Sequence, residues 1–220
     1  MINGSGSKRL LALLSHTKGG SISTETLFRI FHEKTRQIEA LLQSCGCEGR
    51  SVNGKLYYLV SQHSRVVLGM KLCSLGVEIS KVAEFLTWGD FEMFVARVAE
   101  ACGYEVIHDF RLKNPRLQVD VICSKGEFGI AFDCKHWKRD SISALRPAAR
   151  AQERRVARIK SSGKLPQIDL LVPALVGLHE NTPRMVGRVP VVPVHTLNEF
   201  LTNAAYFAED CELYRPDEWN

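Results

Sequence analysis

The chain has 220 residues, of which 45% are hydrophobic and 24% charged, and it carries a formal net charge of +5. That length holds one large domain or a small and a medium one, and the composition is that of a soluble globular protein without low-complexity tracts. No apolar stretch reaches the length of a membrane span and the N-terminus shows no signal-peptide pattern, so no membrane partner is expected and the cytoplasm is the expected location. The seven cysteines are an odd number, scattered along the chain, which argues against a disulfide framework and for a reducing compartment.

Taken from the N-terminus, residues 8–14 begin a helix that ends before Gly19-Gly20. Ser23 or Thr24 is placed to cap a second short helix through residue 31. Residues 34–42 form a third, with Ile38, Leu41 and Leu42 on one face and Lys34, Arg36 and Gln37 elsewhere. Cys45-Gly46-Cys47 lacks a second ligand pair at zinc spacing and reads as buried thiols near a helix end. Residues 51–60 supply a hairpin, with Asn53-Gly54 as a type I′ turn signal. Three short helices followed by a hairpin resemble a winged helix-turn-helix over residues 1–62. In such a domain the third helix enters the major groove and the hairpin touches backbone or minor groove. The resemblance makes Lys34, Thr35, Arg36 and Gln37 candidate contacts on the helix, and Arg50 and Lys55 candidate contacts on the wing. Winged helices also dock proteins, which is the competing reading of this domain.

Residues 63–86 read as a helical connector with two apolar clusters, Val66, Val67, Met70 and Leu75, then Ile79, Val82, Ala83 and Leu86. A helix follows from Trp88 to about Ala99, then Gly103-Tyr104-Glu105-Val106 enters a strand. Residues 117–123 form a further strand interrupted by Asp120, and residues 128–132 form an apolar strand that ends in Asp133-Cys134-Lys135. The short polar joint Ser124-Lys125-Gly126-Glu127 predicts an antiparallel hairpin, in which Asp120 and Asp133 lie across from each other on one face. Strand alternation puts Asp133 and Lys135 on that face and Phe132 and Cys134 on the other. A carboxylate and an ammonium at the end of a buried strand are costly to desolvate unless they serve each other or a ligand. Two carboxylates and a lysine suit a divalent cation and a phosphate better than they suit a core.

After His136-Trp137-Lys138-Arg139 a helix is predicted over residues 143–161, with Leu145, Ala148, Ala149, Val156 and Ile159 on one face. Arg146, Arg150, Arg154 and Arg158 recur every four residues on another, a ridge that a nucleic-acid backbone suits because like charges at that spacing weaken a helix. Lys138 and Arg139 join the candidate contacts, and Gln152 falls on the apolar side. Trp137 fits equally a stacking contact or a core anchor. Residues 168–176 and 189–194 are strand-like with prolines at edges or bends, and residues 196–207 form a last helix. Charge is uneven along the chain. Residues 111–165 hold 14 Lys/Arg against 5 Asp/Glu, whereas residues 166–220 hold 3 against 8. The most basic quarter therefore contains the acidic hairpin, which favours a polyanionic substrate.

Asp120, twelve residues, then Asp133-x-Lys135, preceded by a helix bearing Glu92, resembles the signature of the PD-(D/E)XK nuclease superfamily. The likeness is to Mrr-type restriction enzymes and archaeal Holliday junction resolvases and spans roughly residues 86–202. No Pro precedes Asp120; the residue there is Val119. The resemblance implies a restriction-endonuclease-like α/β fold over residues 87–220, a mixed sheet flanked by helices. It implies a metal-dependent DNA endonuclease in repair, recombination or restriction, with Glu92, Asp120, Asp133 and Lys135 catalytic. Mg²⁺ or Mn²⁺ would sit on Asp120 and Asp133, with Glu92 and the Cys134 carbonyl assisting, and Gln152 would support the site. RNA stays open as a substrate, and a homodimer is expected, with Leu197, Phe200, Leu201, Tyr206 and Phe207 either at its contact surface or closing the sheet. The alternative is a non-catalytic DNA-binding or transcription-regulating protein that uses the nuclease-like domain as a scaffold.

Overall fold

Leucines at helical spacing start the first half of the chain. In the computed structural model, which describes residues 4–114, 116–137, 141–178 and 184–210, the helix α1 (Gly4–His16) turns Leu10, Leu11, Leu13 and Leu14 inward. The chain divides into two units, Met1–Phe94 and Val95–Asn220. In the first, β1 (Ser21–Ser23) leads into α2 (Thr24–Phe31), capped by Ser23, whose hydroxyl accepts the Thr26 amide at 3.1 Å. α3 (Thr35–Ser44) buries Ile38 and Leu42. β2 (Glu48–Val52) and β3 (Lys55–Leu59) form the hairpin, and both turn residues, Asn53 and Gly54, have positive φ as a type I′ turn requires. β1 pairs with the free edge of β3, giving the order β1-β3-β2. β1 escapes a pattern reading because three residues are too few to establish a period, and β2 because all five of its residues are exposed. Cys45 and Cys47 are buried near the end of α3 as expected, and burial raises both thiols, that of Cys47 to about 11.

α4 (Gln62–Ser74), α5 (Ile79–Phe85) and the start of α6 (Trp88–Ala101) belong to the same unit. The first two, expected as a connector, pack with α1 and with each other, and they bury Val66, Leu68, Leu72, Val82 and Ala83. Leu75, expected in the apolar cluster, is exposed just past the end of α4. Arg65 takes an inward place instead. Its guanidinium donates to Asp90 Oδ2 at 2.9 Å, to the Leu14 carbonyl at 3.0 Å, to Thr17 Oγ1 at 2.8 Å and to the Phe85 carbonyl at 3.3 Å. One buried cation thereby ties α1, α4, α5 and α6 together, and its planar fork is what allows four acceptors to be met at once.

The second unit is a mixed six-stranded sheet flanked by helices, the coarse architecture expected for this half. Its elements are β4 (Glu105–Leu112), β5 (Leu117–Lys125), β6 (Phe128–Lys135), α7 (Ile142–Ser161), β7 (Leu170–Gly177), β8 (Met185–Val186), β9 (Val189–Pro193) and α8 (Leu197–Asp210). The order is β4-β5-β6-β7-β9-β8. β4, β5 and β6 are antiparallel neighbours, and Gly126-Glu127 makes the two-residue turn between Lys125 and Phe128. β6, β7 and β9 run parallel, so β6 and β7 need a long crossover, which α7 supplies. α7 lies on one face, with Val156 and Ile159 against Leu117, Ile122, Ala131 and Leu171. α8 takes the other, where Phe200 meets Phe132 edge-on at 6.2 Å and the Leu201 carbonyl accepts the Tyr104 hydroxyl at 2.7 Å. Leu197 and Leu201 are fully buried, so of the two roles expected for them they close the sheet; the side chains of Tyr206 and Phe207 lie outside the described residues. Among the described residues no helix is long and apolar enough to cross a membrane.

Candidate active site

The acidic hairpin sits where the sheet forks. The β5–β6 ladder pairs residues down to Val121 and Phe132; one step further Asp120 and Asp133 come opposite, as the sequence register predicts. From there β6 continues with β7 as far as Lys135, and β5 continues with β4. Asp109 on β4, in line with Asp120, has a φ of 56°, and the ladder skips that pair. Aspartate tolerates the left-handed region better than most residues, and such backbone clusters at functional sites. The Asp120 side chain reaches the other way, to β6, its Oδ2 accepting the Cys134 amide at 2.7 Å. Cys134 itself is buried on the far side of the strand, as alternation requires.

Asp133 faces two cations. Lys135 Nζ lies 2.6 Å from its Oδ2 and an Arg155 guanidinium nitrogen 3.3 Å from its Oδ1. Arg155 also donates to Gln152 Oε1 at 2.9 Å, and Gln152 Nε2 donates to the Ala131 carbonyl at 2.8 Å. Gln152 is completely buried, so this relay fixes Arg155 to the backbone of the strand that carries Asp133. The Lys135 ammonium stands 5.3 Å from the centre of the Trp137 ring. Trp137 itself packs against the cluster of Leu145, Ala149, Leu175, Val189 and Val191, which matches the core-anchor reading.

A cation would find oxygen donors of the right class here. Asp120 and Asp133 are both buried, and Asp133 Oδ2 receives no directed hydrogen bond, only the charge of Lys135. Hard cations such as Mg²⁺ bind through one or two acids plus substrate phosphate. Among the described residues no cluster of three or more His, Cys, Asp or Glu gathers at metal-binding spacing.

Desolvation holds the Asp120 carboxyl above its ordinary value, with the Asp133 charge adding to the rise; the Cys134 amide, Lys135 and Arg155 oppose it. An acid raised in the folded chain is disfavoured as the anion. It therefore costs stability above its folded pKa, and the cost is relieved as pH falls through that value toward the ordinary carboxylate range. Asp120→Asn, whose amide oxygen still accepts the Cys134 N–H, should raise the thermal midpoint by a few degrees at neutral pH. The gain should shrink as pH falls toward the ordinary carboxylate range. Thermal unfolding of both proteins across pH checks this, and a lower midpoint for the variant at neutral pH contradicts it.

Beside this centre lies a cleft of about 750 Å³ lined by Arg111, Lys113, Arg116, Gln118, Arg154, Arg155 and Arg158 over an apolar floor. Of the ridge expected on α7, Arg154 and Arg158 line it, whereas Arg146 and Arg150 are exposed outside it. Arg155 escaped a periodic reading because it stands one residue off the four-residue repeat. Arg111, Lys113 and Arg116 escaped because their turn meets α7 only in three dimensions.

Glu92 stands half-buried one turn into α6, in the first unit, whereas Asp120, Asp133 and Lys135 belong to the second. Lys34, Arg36 and Gln37 are exposed at the start of α3, with Lys34 in the 3₁₀ turn before the helix. Lys55 on the hairpin pairs with Glu25 at 2.9 Å. Lys138 and Arg139 lie outside the described residues.

No family model matches the chain. An uncharacterized protein from Archaeoglobus fulgidus is 31% identical over 127 residues, which are 56% of this chain and 95% of that protein. A Vibrio cholerae protein of known crystal structure aligns with a TM-score of 0.42 at 12% identity, over 94% of this chain and 51% of its own, so this chain spans about half its length.

Proposed function

The chain belongs to the family of the uncharacterized Archaeoglobus fulgidus protein, and we propose that it is a metal-dependent DNA endonuclease of the PD-(D/E)XK kind, joined to a winged helix-turn-helix. The observation that carries this reading is the meeting of Asp120, Asp133 and Lys135 at the fork in the sheet. A helix leading into β4, the β5–β6 hairpin and the α7 crossover support it, because they stand in the order that the resemblance implies. So does the basic cleft at the same end of α7. In the first unit, the run of α1, α2 and α3 before the β2–β3 hairpin supports the winged-helix reading, with Lys34, Arg36 and Gln37 exposed for DNA.

Asp120 and Asp133 would hold the Mg²⁺ or Mn²⁺ ion. Bound there, the cation supplies Lewis acidity toward the phosphate and a lower pKa for water. Lys135, steadied by Asp133 and the Trp137 ring, orients the attacking water and offsets charge that develops on the phosphoryl oxygens. Arg155, anchored through Gln152, holds Asp133 in place. Two chains acting as a homodimer would cut the two strands of a duplex.

Labelled DNA duplexes, flaps and junctions incubated with the full chain, with and without Mg²⁺ or Mn²⁺, test this directly. Cation-dependent cutting is expected. Binding without cutting favours the scaffold reading, which has its own support in Asp133, already paired with two cations as a structural carboxylate would be.

A further inference from the structure

We propose that the cleft between the β4–β5 turn and α7 is a base-blind grip for the sugar–phosphate backbone of one nucleic-acid strand, working without any divalent cation. The inference rests on the nucleic-acid reading of the chain and adds to it the place and manner of substrate anchoring. Among the described residues six of the lining side chains are cationic and none is acidic. Arg111 is held by Asp109 at 2.8 Å and Arg155 by Asp133, but Lys113, Arg116, Arg154 and Arg158 have no carboxylate partner among the described residues. Four uncompensated cations facing one concavity repel one another until an anion enters, and concave low-dielectric walls strengthen the field that draws it in.

The shape and lining narrow the ligand further. A cleft of about 750 Å³ falls within the range that encloses a small molecule or a short run of one strand, and not the width of a duplex. Single-strand binders that hold bases do so on aromatic platforms, and this lining has none. Guanidinium forks instead match phosphate oxygens. The strand so held can be free or one side of a duplex, since both present the same phosphates. The backbone would run past Arg155, which lines the cleft and also touches Asp133, and so would lead to the acidic fork.

The test is the salt dependence of binding of the full chain to a labelled duplex and to a single strand of equal length, in EDTA so that no cleavage intervenes. Neutralising all four cations (Lys113→Gln, Arg116→Gln, Arg154→Gln, Arg158→Gln) should lower the slope of log affinity against log salt by about 3–4 units on a duplex and about 3 on a single strand. The loss should be the same for strands of different base sequence. Arg146→Gln with Arg150→Gln removes two exposed charges of the same helix outside the cleft and should leave the slope near wild type, whereas Arg154→Gln with Arg158→Gln should lower it by about two units. All four cations are exposed, so circular dichroism should show an unchanged fold. An equal loss in the two double variants means a general charge effect and overturns the cleft. An unchanged slope in the quadruple variant, or a loss that depends on base sequence, overturns it too. If the slope falls as expected while the wild type cuts nothing with Mg²⁺ or Mn²⁺, the grip stands and the nuclease reading alone is lost.

Discussion

Asp133→Ala and Lys135→Ala should each lower DNA cleavage by at least about 10²–10³-fold, the effect of removing one group that stabilises charge in a transition state. Asp133 is buried with Lys135 on one oxygen and Arg155 on the other, so truncating it removes both an expected cation ligand and the anchor of the proposed water-orienting lysine. Alanine also leaves two partly buried cations without an anion, which lowers stability. Asp133→Asn separates these effects, because it keeps the shape and some hydrogen bonding while losing the charge. Binding to labelled DNA in EDTA should be nearly unchanged in Lys135→Ala, since the cleft cations remain. Single-turnover cleavage assays beside that binding measurement decide the matter. Wild-type turnover in Lys135→Ala or Asp133→Asn would remove these residues from the chemistry.

The second large effect is on stability. Arg65→Met should destabilise the first unit by about 3–5 kcal/mol, the usual cost of removing one member of a buried ion pair. Asp90 would be left charged and nearly inaccessible, with only the Thr87 amide donating to it. The Thr17 hydroxyl would lose its donor at the same time, and the Leu14 carbonyl would keep the Thr17 hydroxyl but lose the guanidinium. The double variant Arg65→Met with Asp90→Leu should recover part of the loss, because two apolar side chains leave no buried charge uncompensated. Urea denaturation followed by circular dichroism measures both. A single variant as stable as the wild type would show that the pair contributes little.

The groups behind these two effects differ in how far local sequence dictates them. Local pattern already puts Asp120, Asp133 and Lys135 on one face of a hairpin, since a short polar joint and strand alternation set the face of each side chain, and the structure fixes the register by closing the turn over Gly126-Glu127 alone. Ser23 as a helix cap and Asn53-Gly54 as a turn are legible for the same reason, each being decided within a few residues. The helical boundaries of α7 and its buried stripe follow from periodicity.

Arg65, Arg155 and the cleft are of another kind. Arg65 lies in an apolar helix where no local pattern marks it for burial; only the approach of α1, α5 and α6 supplies the four acceptors that make its burial tolerable. Arg155 stands beside the periodic arginines without sharing their face, and it gains its role from the crossover that lays α7 against β6. Arg111, Lys113 and Arg116 sit some forty residues from Arg154 and Arg158 in the chain, and the sheet brings the two groups to one cavity. Local pattern thus determined which acids and which lysine share one strand face, because hydrogen-bonded pairing over short spans leaves little choice. Tertiary packing decided which of many surface cations gather beside those acids, because only the folded layers set distances between residues far apart in the chain.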